Sequence, residues 1–198
     1  MKRILCLLFV LVMCFSLFAC GCSQSDPDIP AGMKLASNTK VVDYKISIPE
    51  SWIVSNADRA QAQAYVSDSD RTNIIVNQWN ITENTRTVYD WWEKEYKPQV
   101  FAAGAVLDYS IEKNEDGTEG VTVILGGVEG MKYIYTGRIG DTFFKYHVYA
   151  CVANGSIYVI HVTYMQDGNE AEGQAPSFST IETHKEEIDK IIASFKFI

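Results

Sequence analysis

Cysteine is scarce in this chain outside its first 22 residues. The five cysteines are Cys6, Cys14, Cys20, Cys22 and Cys151. A disulfide-stapled domain needs several cysteines spread along its length, so the sequence excludes that class. A chain of 198 residues is long enough to bury a sizeable apolar core, and we expect one domain that depends on such a core.

Histidine is rarer still, with three in the chain. The dipeptide Asn154-Gly155 predicts a two-residue hairpin turn, and in that register His147 and His161 lie on opposite faces of the sheet. The two histidines therefore cannot share a metal ion. Cys151 shares a face with His147, but it lies about 13 Å away along the strand, beyond the reach of a nucleophile and its base. We interpret Cys151 as a buried small hydrophobic residue.

The sequence also lacks a recognisable catalytic or metal-binding pattern. His184 is predicted on the exposed side of the last helix, and no Ser-His or Cys-His pairing is visible in the sequence. The acidic residues fall in short clusters without the five or more oxygen ligands of a calcium loop, and we interpret them as solvated turns. These clusters are Asp68 with Asp70, Glu115 with Asp116, and Glu170 with Glu172. We therefore expect no catalytic residue, no metal site and no cofactor.

Basic residues are outnumbered, at 17 against 25 acidic residues, which gives a formal net charge of −8. An acidic surface disfavours nucleic acid and electrostatic docking on anionic lipid, so we expect no nucleic-acid partner. The apolar run from Ile4 to Phe18 is shorter than the roughly 20 residues that a membrane-spanning helix needs. Because it follows Lys2 and Arg3, this run is typical of a secretory signal.

The end of that run resembles the signal of bacterial lipoproteins. Leu17, Ala19 and Cys20 match the large apolar residue, the small residue and the lipidated cysteine of that family. Cys22 is the alternative, but it lacks a large apolar residue three positions before it. The resemblance implies a diacylglycerol thioether on Cys20, with acyl chains such as palmitate, that holds the protein at the extracytoplasmic face of a bacterial cell membrane.

The sequence predicts three regions. Residues 1–19 are the signal peptide, 20–40 the lipidated cysteine and a flexible tether broken by Pro27 and Pro30, and 41–198 the folded domain. Hydrophobic periodicity in the domain predicts a run of antiparallel strands with two helices set apart, which is the α+β class. Thr87 is the expected cap of the first helix, and Thr180 or Thr183 that of the last helix.

Three motifs and one hairpin follow each other along residues 41–198. They are Tyr44-Lys45-Ile46-Ser47-Ile48-Pro49-Glu50-Ser51-Trp52, Gly126-Gly127-Val128-Glu129-Gly130-Met131-Lys132, the aromatic hairpin of residues 143–164, and Ile191-Ile192-Ala193-Ser194-Phe195-Lys196. In this order they resemble the PsbP-like fold, which many bacterial lipoproteins share. The resemblance implies an α/β/α sandwich, with an antiparallel β-sheet of about six to seven strands flanked by helices. It also implies a non-catalytic function, namely binding, assembling or stabilising a partner.

Two adjacent tryptophans on the first helix, Trp91 and Trp92, are the candidate binding residues. Neighbouring side chains on a helix point about 100° apart, so the two rings cannot both point into one core. We expect one ring to be buried and the other at least partly exposed. The exposed ring would either mark a patch that stacks sugars or peptide, or pack under a loop.

These observations predict a membrane-anchored extracytoplasmic lipoprotein that is a non-catalytic binding or accessory module for an unknown protein or envelope component. The alternatives are an extracellular hydrolase and a small-molecule or metal carrier. A pocket that joins His147 or His161 to a carboxylate within hydrogen-bond reach would favour the hydrolase, and an internal cavity would favour the carrier.

Overall fold

The computed structural model describes residues 28–55, 62–67, 69–168 and 175–198. The predicted signal peptide and lipidation site lie outside these residues, together with part of the tether and of the acidic clusters. The affected residues are Cys20, Cys22, Pro27, Asp68, Glu170 and Glu172. Within the described ranges, no helix has the length and apolar character needed to span a membrane.

The fold begins before residue 41. Strand β1 (Met33–Leu35) pairs in antiparallel fashion with β3 (Ser47–Pro49), and the short strand β2 (Tyr44–Lys45) precedes β3. Met33 is buried in the core. The predicted tether of residues 20–40 therefore extends too far. Strand β1 was missed because it forms through pairing with residues 47–49, which are distant in sequence.

A large antiparallel sheet forms the centre of the fold. Its eight strands in the described ranges are β4 (Ile53–Ser55), β5 (Gln63–Tyr65), β6 (Asn73–Asn80), β7 (Leu107–Ile111), β8 (Val121–Leu125), β9 (Val128–Ile139), β10 (Thr142–Ala153) and β11 (Ser156–Met165). The spatial order is β4-β5-β6-β11-β10-β9-β7, and β8 pairs with the other half of the same edge of β9. The α+β class is confirmed, and the sheet exceeds the predicted six to seven strands.

The hairpin of β10 and β11 has the register that its turn predicts. Asn154 and Gly155 have φ values of +47° and +73°, as the favoured two-residue turn requires. His161 pairs with Val148. It therefore lies on the face of the sheet opposite to His147, as expected.

A helical segment covers one face of the sheet. It starts as α1 (Val88–Trp91) and continues in π-helical geometry over Trp92–Tyr96 and Pro98–Ala102. Thr87 caps it by accepting a backbone N–H at 3.0 Å, as predicted. The helical segment continues beyond Pro98 because this proline lies at the start of the second π-helical stretch. The first position of a helix tolerates a residue without a backbone N–H.

A second helix covers the opposite face. Helix α2 (Thr180–Ser194) leads into β12 (Lys196–Phe197), which pairs with β2. The carboxylate of Asp167 accepts the backbone N–H of Ser179 at 2.7 Å and its hydroxyl at 2.8 Å. The expected caps Thr180 and Thr183 are wrong, because both residues lie inside the helix and Asp167 arrives from the preceding loop.

Each face of the sheet has its own apolar core. The core under α2 includes Trp52, Tyr158 and Ile188, and the core under the π-helical segment includes Trp92 and Tyr133. Alternate residues of the central strands supply the two cores, because successive strand side chains point to opposite faces. The arrangement is the α/β/α sandwich that the sequence predicts.

Candidate functional site

The tryptophan pair is fully buried. Trp91 and Trp92 are both 0 % exposed, so the prediction that one ring is exposed, and the binding patch built on it, is wrong. Both rings belong to the core under the helical segment, and their centroids are 6.4 Å apart. Trp91 packs edge-on against Trp79 of β6 at 5.7 Å, whereas Trp92 stacks on Tyr133 of β9.

Trp92 lies in a stack of aromatic rings. Its ring centroid is 4.0 Å from that of Tyr133, with an angle of 5° between the planes, and 4.8 Å from that of Tyr96. Tyr96 stacks in turn on His161 at 5.6 Å. Such pairs add specific geometry to the burial of apolar surface. The stack therefore fixes the helical segment rigidly on the sheet.

A lysine lies between two carboxylates next to this stack. Lys97 Nζ is 2.7 Å from Glu93 Oε1 and 2.8 Å from Glu119 Oε2. The same oxygen of Glu119 accepts the indole N–H of Trp92 at 2.8 Å. We name Glu93, Lys97 and Glu119 the lysine cluster. It joins the helical segment to the connection between β7 and β8.

The lysine cluster keeps its charges because its partners outweigh burial. Burial acts to raise the pKa of the Glu119 carboxyl, but the hydrogen bonds from Lys97 and Trp92 lower that pKa overall. Burial also acts to lower the pKa of Lys97, and the bonds to Glu119 and Glu93 raise it overall. Both groups are therefore charged at neutral pH.

A surface cleft of about 580 Å³ opens beside the lysine cluster. The π-helical segment, strand β7 and the connection that follows β7 form its walls. Phe101, Tyr109 and Ile111 supply apolar surface, and Lys113 adds a second ammonium group. We refer to this feature as the cleft.

Tyr109 is the exposed aromatic ring of the cleft. It is 49 % exposed, and its ring stacks on Phe101 at 4.2 Å with an angle of 18° between the planes. The absence of a side chain at Gly137 of β9 leaves room for β7 here, because a Cβ at that position would collide with Val106 and would also contact Tyr109. The cleft therefore has an aromatic platform that is supported from behind.

A second cation lies between two carboxylates on the other face of the molecule. His184 is only 9 % exposed, so its predicted place on the exposed side of the helix is wrong. Its Nδ1 is 2.8 Å from Glu187 Oε2, and its Nε2 is 2.6 Å from Asp70 Oδ2. Glu187 also accepts the indole N–H of Trp52 at 3.2 Å. We name Asp70, His184 and Glu187 the histidine cluster.

Both ring nitrogens of His184 are bonded to carboxylates in the histidine cluster. Burial acts to lower the pKa of His184, but the bonds to Glu187 and Asp70 raise it overall. Burial likewise acts to raise the pKa of Asp70, which the N–H of Thr72 and the bond to His184 lower overall. A general base needs a free nitrogen facing its substrate, and both nitrogens of His184 already bond to carboxylates.

The other two histidines are His147, which is buried, and His161, which is half-buried. His161 Nε2 is 3.0 Å from the hydroxyl of Tyr96, and its Nδ1 is 3.3 Å from the side-chain amide of Asn77. Burial lowers the pKa of His161 to about 4 and that of His147 to about 3. Within the described residues, the pairing of either histidine with a carboxylate that would favour a hydrolase is not found.

The remaining chemical candidates belong to the core or to turns. Cys151 is buried, as predicted, and burial raises the pKa of its thiol to about 12, which leaves it a poor nucleophile. Glu115 and Asp116 are exposed, and Asp116 accepts the N–H of Thr118 within its own turn at 2.9 Å. In the described part of the chain, no group of three or more His, Cys, Asp or Glu side chains has an arrangement that could hold a metal ion.

Sequence reasoning missed most of the cleft. Glu93 and Lys97 are four residues apart on a helix, a spacing that favours an ion pair. The pairing of two of the three residues of the lysine cluster could therefore be predicted from the sequence. Glu119 and Tyr109 come from a loop and an edge strand, and only the tertiary fold brings them to Lys97. No local pattern marks either residue.

The architecture matches a solved structure. The solution structure of cyanobacterial PsbP (CyanoP) from Synechocystis sp. PCC 6803 matches with a TM-score of 0.51 and 16 % sequence identity, covering 85 % of this chain and 94 % of that one. This chain has a PsbP-like fold. At such low identity the likeness shows the fold alone, so the cleft of this PsbP-like domain must be interpreted from its own residues.

Two further structures resemble the PsbP-like domain less closely. A protein of unknown function from Pseudomonas aeruginosa has a TM-score of 0.48 and 9 % identity, covering 80 % of this chain and 92 % of that one. LpqN, involved in cell envelope biogenesis of Mycobacterium tuberculosis, has a TM-score of 0.43 and 11 % identity, covering 83 % of this chain and 89 % of that one. Both TM-scores are below 0.5, so neither structure supports a conclusion. No protein-family model matches the sequence, and no curated protein matches it.

Proposed function

We propose that this chain is a lipid-anchored extracytoplasmic accessory module that binds a protein or envelope component and catalyses no reaction. The anchor is the diacylglycerol on Cys20, supported by the match of Leu17 and Ala19 to the lipoprotein signal. The observation that carries the binding role is the cleft, where Tyr109 presents a half-exposed ring beside the lysine cluster.

The cleft is suited to binding because its groups are held before a ligand arrives. Ligand sites combine apolar and aromatic surface with a few placed polar groups. Here Phe101 supports Tyr109, and Glu119 is fixed by both Lys97 and Trp92. Side chains that are already ordered lose little entropy on binding, so most of the contact energy remains available for affinity.

The same geometry disfavours the hydrolase alternative. His184 bonds to two carboxylates, and the half-buried His161 bonds to Tyr96 and Asn77. A histidine base must hold a nucleophile or water at one nitrogen. Neither ring offers that nitrogen.

The anchor is tested by acyl labelling in growing bacterial cells. We expect the full chain to incorporate an alkyne analogue of palmitate and to sediment with the membrane. Cys20→Ala should lose the label, and the matched variant Cys22→Ala should keep it. Labelling that survives Cys20→Ala, or that Cys22→Ala abolishes, contradicts an anchor at Cys20.

The binding role is tested by photocrosslinking in intact cells. Benzoylphenylalanine is placed at Ser110, which is exposed and lines the cleft, or at the control position Glu186, which is exposed on α2. We expect a discrete adduct from position 110 that excess chain without the photoreactive group competes away. Adducts of equal yield from both positions, or none from position 110, contradict a binding role for the cleft.

A further inference from the structure

We propose that the cleft binds a neutral saccharide unit, seated against the ring of Tyr109 with its hydroxyls bonded to the lysine cluster. This inference rests on the proposed binding function and names the ligand class. It follows from four properties of the cleft: its aromatic platform, its paired donors and acceptors, its balanced charge and its irregular edge strand.

The aromatic platform matches the apolar face of a sugar ring. The C–H groups on that face are weakly positive, and they pack against the negative face of an aromatic ring. Tyr109 lines the cleft, has one ring face stacked on Phe101 and is 49 % exposed as a residue. A ring fixed in this way does not have to be ordered by the ligand.

The lysine cluster supplies the polar half of such a site. The ammonium group of Lys97 and the carboxylates of Glu93 and Glu119 are separated by 2.7–2.8 Å. They therefore present a hydrogen-bond donor side by side with acceptors. Adjacent hydroxyls on a sugar donate and accept at the same time, so this pairing fits a vicinal diol. Hydrogen bonds that involve charged groups are also the stronger ones.

The balance of charge favours a neutral ligand. Two lysines, Lys97 and Lys113, and two glutamates, Glu93 and Glu119, line the cleft. An anionic ligand would meet the two carboxylates, and a cationic one the two ammonium groups. The net charge of −8 of the whole chain further opposes anionic glycans. The volume of about 580 Å³ lies within the usual range for small-ligand sites.

The edge strand argues against an extended peptide as the occupant. A peptide that adds to a sheet needs a regular row of backbone groups. Strand β7 is irregular, because its register shifts between Leu107 and Ser110 and because Asp108 has a φ of +46°. Bulges of this kind protect an edge from further pairing.

The four tryptophans provide the readout for a test. The full lipid-anchored chain, labelled with ¹⁵N at tryptophan, is placed in a phospholipid nanodisc, where each indole N–H gives one NMR signal. The indole of Trp92 bonds to Glu119 in the cleft, whereas that of Trp52 bonds to Glu187 in the histidine cluster. Trp52 therefore serves as an internal control.

The chain is titrated with cellotetraose, maltotetraose and N-acetylchitotetraose, with tetragalacturonate as the charged sugar and capped penta-alanine as the neutral peptide. We expect at least one neutral saccharide to shift the Trp92 signal to saturation and to leave Trp52 unmoved. Tyr109→Ala should weaken binding at least tenfold. Tyr109→Phe keeps the ring and should bind within threefold of the parent.

Three results would overturn the saccharide assignment. The first is that no neutral saccharide shifts the Trp92 signal. The second is that tetragalacturonate or penta-alanine shifts this signal as strongly as a neutral saccharide does. The third is that Tyr109→Ala binds the saccharide with unchanged affinity. If any of these occurs while the photocrosslink at Ser110 persists, the binding module stands with a different ligand class. If the crosslink is also absent, the proposed function fails as well.

Discussion

Two clusters in this molecule share one arrangement and differ in their surroundings. In each, a cation lies between two carboxylates, and a buried indole donates to one of those carboxylates. The cation and indole are Lys97 and Trp92 in the lysine cluster, and His184 and Trp52 in the histidine cluster. The first cluster borders a cleft, whereas the second ties α2 to the turn that precedes β6. The same set of contacts can therefore shape a binding surface or hold two elements together.

The choice of cation separates the two clusters chemically. Lys97 has a pKa raised above that of an ordinary lysine, so the lysine cluster is constant across the physiological range. His184 has a pKa raised above the ordinary histidine value of 6.5 by its bonds to Glu187 and Asp70, so it keeps its proton to a higher pH than a free imidazole.

The largest expected effect is that of Trp92→Ala. The ring is fully buried and stacked on Tyr133, so its removal leaves a cavity and deprives Glu119 of a donor. We expect a loss of about 3–5 kcal/mol in the free energy of unfolding, measured by urea denaturation. Trp52→Ala is the matched variant in the histidine cluster, with an equal expected loss. A loss below about 1 kcal/mol for Trp92→Ala would show that the lysine cluster does not rest on a packed core.

The next effect is that of His184→Gln, which removes the charge from the histidine cluster. We expect a loss of about 1–2 kcal/mol at pH 6, because Asp70 and Glu187 each lose a charged hydrogen-bond partner. Lys97→Gln is the control. Its ion pairs are partly buried but lie near the surface, where such pairs contribute little, so the loss should stay below about 1 kcal/mol. If urea denaturation showed that His184→Gln and Lys97→Gln lose the same free energy of unfolding, the histidine cluster would have no greater structural role than the lysine cluster.

The pH dependence of stability sharpens the same contrast. Because the pKa of His184 is raised in the folded chain, its contribution is complete below about pH 6.5 and is lost as the pH rises through the folded value. His147 and His161 have lowered pKa values and act in the opposite direction, so their contribution is lost as the pH falls below about 6.5. The contribution of His184 must therefore be isolated by difference.

The measurement is the urea midpoint of the parent chain and of His184→Gln from pH 5 to pH 9. We expect the gap between them to be widest below about pH 6.5 and to close as the pH rises. The gap between the parent and Lys97→Gln should stay constant over the same range. A His184→Gln gap that widens with pH would mean that the ring is neutral in the folded chain.

The smallest expected effect on stability is that of Tyr109→Ala. The ring is half exposed, and surface substitutions usually change the free energy of unfolding by about 0.5 kcal/mol or less. Binding at the cleft should nevertheless fall at least tenfold. Tyr89→Ala removes a tyrosine that is exposed outside the cleft, and it should change neither property. A large loss of stability in Tyr109→Ala would make Tyr109 part of the core.

Much of the fold was readable from sequence because it depends on local signals. Asn154-Gly155 set the hairpin register, and Thr87 marked the start of the first helix. Strand β1 and the Asp167 cap of α2 were missed. Each depends on residues distant in sequence, namely the pairing of β1 with β3 and the return of a loop to the helix start.

The candidate site was less predictable for the same reason. The expectation that the rings of Trp91 and Trp92 cannot share a core was wrong, because one core takes Trp91 against β6 and Trp92 against β9. His184 lies 114 residues from Asp70 in sequence, and Lys97 lies far from Glu119. Such pairs meet only when the sheet is assembled.

The most direct test distinguishes binding of the partner at the cleft from binding at the face covered by α2. It is the photocrosslinking yield at Ser110 in intact cells, compared between the parent chain and Tyr109→Ala, with position 186 as the control. We predict a yield that falls at least tenfold in Tyr109→Ala at an unchanged urea midpoint, with little adduct from position 186. An unchanged yield at position 110, or an equal yield from position 186, would contradict binding at the cleft.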